Sequence, residues 1–120
     1  MEKFMFVFRN NVEEMAKVSP EGIQKNMEKW MTWLGKLSEE GHYTLGNGNQ
    51  LTGMNGKVVS NAKHITTDGP FIEGKEVISG LIDLNNVKDM EEAVKLAKGC
   101  PGLELGGSVE IRTCVVRPDM

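Results

Sequence analysis

The chain opens on alternation. Between residues 3 and 9, Phe4, Phe6 and Phe8 fall on one side and Met5 and Val7 on the other. That is the two-residue period of a strand, here apolar on both faces. The period then lengthens. Ser19-Pro20-Glu21 reads as a helix start, with a hydroxyl N-cap, proline at N1 and an acid in the first turn. Behind it Ile23, Met27, Trp30, Met31, Leu34 and Leu37 recur at helical spacing. They span roughly 120° of arc, the width of a helix face laid on a sheet. Trp33 falls at the edge of that stripe, a place for the rim of a core or of a dimer contact. Gly41 stands where a left-handed residue closes a helix.

From 42 to 67 the apolar pattern thins, and the turn dipeptides Asn47-Gly48 and Asn55-Gly56 punctuate it. Short strands are expected near 43–46, 57–60 and 63–67, with a tight turn at Asn61-Ala62. Residues 76–84 read as a strand with Val77 and Leu81 on one face and Ile78, Ile82 and Leu84 on the other. Gly80 inside it signals a bulge or a close backbone approach. Asn86, with Asp89 three residues on, resembles a capping arrangement for a second helix to about Lys98, with Met90, Ala93, Val94 and Ala97 facing in. Gly99 and Pro101 end it. A last strand spans 109–116, with Val109, Ile111 and Val115 alternating against Glu110, Arg112 and Cys114.

The order β, α, β hairpins, α, β predicts a single α+β domain over residues 1–120. It is of ferredoxin-like kind, an antiparallel sheet with two helices on one face and an extra β-hairpin. Two helices cover only one face of such a sheet. The other keeps either the Phe4-Phe6-Phe8 row or the Met5-Val7 row in water, at about 25 cal/mol per Å². Pairing two sheets in a homodimer removes that cost, and symmetric dimers are the commonest assembly.

Composition narrows the partners. With 120 residues, 26% charged side chains and a formal net charge of -3, the chain lacks the basic character of a nucleic-acid binder. The apolar run ending at Arg9 is too short for a signal-peptide core or a membrane span. Cys100 and Cys114 lack metal-ligand spacing and read as buried or partly buried thiols of a reducing, cytoplasmic compartment. No metal and no cofactor is implied. Gly69-x-x-x-x-Gly74-Lys75 is one residue short of a phosphate loop, for Glu76 stands where Ser or Thr should hold magnesium.

Chemistry concentrates at residues 68–80, Asp68-Gly69-Pro70-Phe71-Ile72-Glu73-Gly74-Lys75-Glu76-Val77-Ile78-Ser79-Gly80. As structure, Asp68-Gly69-Pro70 is a bend with fixed proline φ. As function, Asp68, Glu73, Lys75 and Glu76 are three carboxylates and an ammonium able to line a pocket beside the loop. His64 precedes Asp68 by four residues, so both fall on one side of a strand. They are the candidate catalytic pair, imidazole as base and carboxylate as its orienter. Arg112 inside the last strand reads as an ion pair with Glu110 or as an anchor for an anionic ligand. His42 follows the first helix as a solvent-facing residue.

The Asp-Gly-Pro-Phe run, the Glu, Lys-Glu and glycine that follow it at fixed spacing, Cys100-Pro101 and Val109-Glu110-Ile111-Arg112 together resemble the DGPF branch of the YCII-related family. The resemblance covers essentially the whole chain. It implies a dimeric α/β barrel built from ferredoxin-like domains, and a regulatory or ligand-sensing context near extracytoplasmic-function sigma factors. A histidine near the start of the first helix, paired with an aspartate, is the wider family's candidate active site, and residues 19–40 here contain no histidine. Three readings follow. They are a dimeric small-molecule-binding domain with its pocket beside the 68–76 loop, a cofactor-free acid-base enzyme using His64 and Asp68, and a structural or interaction protein.

Overall fold

In the computed structural model, which describes residues 3–119, strand β1 (Lys3–Asn11) runs through the middle of the main sheet. Short helix α1 (Val12–Ala16) and long helix α2 (Pro20–Glu39) follow, then β2 (Gly48–Gln50), a separate hairpin of β3 (Lys57–Ser60) and β4 (Ile65–Asp68), and β5 (Ile72–Glu73). Strand β6 (Glu76–Leu84), helix α3 (Met90–Ala97), a 3₁₀ turn at Pro101–Leu105 and β7 (Ser108–Cys114) complete the chain. The sheet order is β2-β6-β1-β7, with β5 folded back on β6. Every pairing is antiparallel.

Register decides which phenylalanine row is covered. Phe4, Phe6 and Phe8 pair with Leu84, Ile82 and Gly80 on one side and with Thr113, Ile111 and Val109 on the other. That set lies under the helices, where Phe4 and Phe6 are fully buried. The Met5-Val7 row, with Leu81, Asp83, Glu110 and Arg112 in register beside it, occupies the uncovered face.

Helix α2 starts and stops where its sequence signals stand. The Ser19 hydroxyl accepts from Gly22 N–H at 3.0 Å. At the far end Gly41 has φ 81°, and Gly41 and His42 N–H groups return to the Ser38 and Leu37 carbonyls, the paired bonds of a Schellman motif. The helix is rotated from the expected stripe. Its buried residues are Asn26, Trp33 and Leu37, whereas Ile23, Met27 and Met31 are exposed. Trp33 is therefore no rim residue. It stacks on Phe6 at 6.2 Å and 7°, and Phe8 meets Trp30 edge to face at 4.9 Å. Such pairs contribute about 0.5–1.5 kcal/mol beyond area burial.

Three further expectations shift. The strand expected at 43–46 forms instead at Gly48–Gln50, because Tyr43 turns into the core. Gly48 permits this, since a Cβ there would stand 2.8 Å from both the Tyr43 hydroxyl and Ile82 Cγ2. In β6 a bulge leaves Ser79 unpaired between Phe8↔Gly80 and Arg9↔Ile78. The extra residue exchanges sides below it: Val77 is buried in phase with Ile82, and Ile78 is exposed. Gly80 also makes the expected close approach, to the Asn49 carbonyl. Helix α3 is capped by Asp89, whose carboxylate accepts from Glu92 N–H at 2.9 Å, while Asn86 sits in a left-handed loop position. Its inward residues are Ala93 and Ala97 with Leu96, and Met90 and Val94 remain exposed.

Candidate functional site

The predicted site residues fall in three neighbourhoods. His64 is not on a strand. It ends the four-residue turn of the β3–β4 hairpin with φ 52°. Asp68 ends β4, four residues or about 13 Å of strand away, and its carboxylate pairs with Lys57 across the hairpin base. That ion pair is exposed, Asp68 at 90%. Gly69 N–H bonds to the Gly56 carbonyl and closes the base.

Glu73 and Glu76 face each other across a two-residue turn of Gly74 and Lys75. The Lys75 ammonium reaches Glu13 of α1 at 2.7 Å, and its carbonyl accepts Val12 N–H. Glu76 accepts from the Ser108 hydroxyl at 3.4 Å. Arg112 pairs with Glu110 at 3.1 Å, the ion pair expected from their spacing. Arg9 joins from β1, an addition that the sequence did not signal because it arrives through register. The bonds from Arg9, then from Arg112, hold the Glu110 carboxyl below its ordinary range. His42 bonds through Nδ1 to the Asn85 carbonyl at 3.2 Å and joins the end of α2 to the loop before α3.

A separate concavity lies elsewhere. A cleft of about 390 Å³ opens between α2 and the β2–β6 edge of the sheet. Ile23, Met27, Met31 and Leu34 form its helical wall, and Phe8 and Trp30 are among the aromatic residues lining it. The opposite wall carries Asn49, Gln50 and Ser79, and Asn10 lies at the same side. Asn26 is buried within α2, its amide donating to the Pro101 carbonyl at 3.0 Å, so the side chain is held in one orientation. The Ser79 hydroxyl donates to the Phe8 carbonyl at 3.3 Å. The β6 bulge thus shapes the mouth, as bulges beside sites commonly do.

Neither His64 nor Asp68, nor Glu73, Lys75, Glu76 or Arg112, lines this cleft. Sequence reasoning missed its residues because amides and serines on a strand edge carry no motif. Met27 and Met31 were read as core residues of the α2 stripe, and the rotation of the helix turns them to the cleft instead. Among the described residues no three His, Cys, Asp or Glu side chains gather to hold a metal ion, and no helix is long and apolar enough to cross a membrane.

Sheet order, the two covering helices and the added hairpin define an α+β domain of ferredoxin-like kind, with a lateral cleft under its first long helix. The YCII-related domain model matches residues 4–116, and the chain belongs to that family. The Asp68-Gly69-Pro70-Phe71 run lies within the matched span. A comparison with curated proteins gave no match.

Proposed function

We propose that the protein is a small-molecule-binding domain, acting as a homodimer, whose ligand sits in the α2/β2 cleft. The observation that carries this reading is the cleft itself. It combines an apolar helical wall, aromatic residues and a few amide and hydroxyl groups, the usual make-up of a small-molecule site, at the lower end of the usual size range. Ile23, Met27 and Met31 stay exposed at the cleft, and occupancy by a ligand accounts for their being apolar. The sheet face away from the helices, with Met5 and Leu81 half-buried between charged neighbours, supports the dimer.

This reading moves the ligand from the 68–76 loop to the cleft. Acid-base chemistry by His64 and Asp68 draws no support from a histidine in the hairpin turn and an aspartate at the far end of β4.

A thermal-shift screen against a small-metabolite set tests the reading, using wild type, Met27→Trp and Asp68→Asn. Ligand at 100 times Kd stabilises by about 2.7 kcal/mol, a shift of about ten degrees for a domain of this size. Hits abolished by Met27→Trp and kept by Asp68→Asn are expected. The reverse pattern places the site at the 68–76 loop and contradicts the proposal.

A further inference from the structure

We propose, building on the cleft assignment above, that the ligand is an uncharged and largely apolar molecule of one or two rings with hydrogen-bonding groups along one edge. Nineteen residues line the cleft, and none is Asp, Glu, Lys, Arg or His, in a chain where 26% of residues are charged. Both walls of the cleft are therefore free of charged side chains. An ion entering it meets no counter-ion and gives up part of its hydration. A neutral molecule loses little.

The two walls differ, and the difference orients the ligand. On the α2 side the ridge of Ile23, Met27 and Met31 offers dispersion contact only. Thioether side chains there adapt to irregular shapes and make favourable contact with aromatic rings. On the sheet side Gln50 and Ser79, which lie on or beside the helix-facing register, supply neutral donors and acceptors. Below them Phe8 is buried and holds Trp30 edge to face at 85°, so the partly buried Trp30 is the ring a flat guest would meet. About 390 Å³ suits a guest near the small end of the range for such sites.

The test uses two dyes of one skeleton, neutral N-phenyl-1-naphthylamine and anionic 8-anilino-1-naphthalenesulfonate, titrated into the full chain. Dye emission and quenching of tryptophan emission are followed, and far-UV circular dichroism establishes that each variant is folded. The neutral dye is expected to bind saturably, and the sulfonate at least about tenfold more weakly, a difference near 1.4 kcal/mol. Met27→Lys should narrow or invert that ratio by supplying a counter-ion. Met31→Lys, at a residue 71% exposed, serves if the first variant does not fold. Equal affinity for both dyes in wild type, with both lost in Met27→Trp, overturns the neutral-ligand inference and leaves the cleft assignment standing. No saturable binding, or binding indifferent to Met27→Trp, overturns both. Dye release on raising protein concentration would assign the cleft to a second copy of the chain and also overturn the proposal.

Discussion

Trp33 and Met31 lie two residues apart on α2 and have opposite fates. Trp33 is 9% exposed and stacked on Phe6, so Trp33→Ala should cost about 3–5 kcal/mol in urea unfolding. Met31 is 71% exposed, and Met31→Ala should stay within about 0.5 kcal/mol. Helical periodicity could not separate them. It locates the middle of the apolar arc, and on this helix that arc serves two surfaces, the core and the cleft. The buried residues sit on one flank of the arc, with Asn26 among them, and polarity alone would have excluded Asn26. The two thiols differ in the same way. Burial pushes the Cys100 thiol up to about 11 against an ordinary value of 9.0, whereas Cys114 is only half-buried. Native protein at pH 8 should therefore release one equivalent of thionitrobenzoate quickly, from Cys114, with the second appearing only on unfolding. Because the folded state holds the Cys100 proton more tightly, that group's contribution to stability is complete below pH 9 and declines as pH rises toward 11. Glu110 works at the other end. Its lowered pKa contributes stability above the ordinary carboxylate range that is lost on acidification, and Glu110→Gln should flatten the acid limb of a melting curve.

Elements were legible wherever capping chemistry and periodicity agreed. Helix α2 begins after Ser19 and ends before Gly41 as its residues dictate, and Ser19→Ala should cost about 1 kcal/mol by removing an N–H acceptor. The hairpin at 57–68 was legible in its pairing, from Asn61-Ala62 and the flanking strands, but not in the place of His64. A left-handed position at the turn's end breaks the strand alternation that put His64 beside Asp68. The Ser79 bulge exchanged the faces of Val77 and Ile78 for a related reason: one unpaired residue inverts every side chain beyond it. Sequence marks that a glycine sits nearby, not which residue is left out. At Asp68 the exposed ion pair to Lys57 is worth little. Asp68→Asn should shift the denaturation midpoint by the equivalent of less than about 1 kcal/mol, read by chemical unfolding. A collapse of the fold would instead mark the Asp-Gly-Pro bend as structural.

At the scale of the molecule, the two-layer plan followed from element order, and the ferredoxin-like sheet order agrees with it. The cleft did not follow. It arises where β2 forms late, Gly48 lets Tyr43 inward and the β6 bulge opens the edge, three local events with no joint signature in sequence. The uncovered face predicts association. Light scattering should report a dimer, and Leu81→Lys should shift it toward monomer without unfolding it, since Leu81 lies on that face. The central claim, that the ligand site is the α2/β2 cleft, is tested most directly by amide and indole chemical-shift mapping with N-phenyl-1-naphthylamine. The account predicts shifts at Asn10, Met27, the Trp30 indole N–H, Gln50 and Ser79, with Asp68, Lys75 and Arg112 unmoved. Shifts clustered on residues 68–76, with the cleft silent, would contradict it.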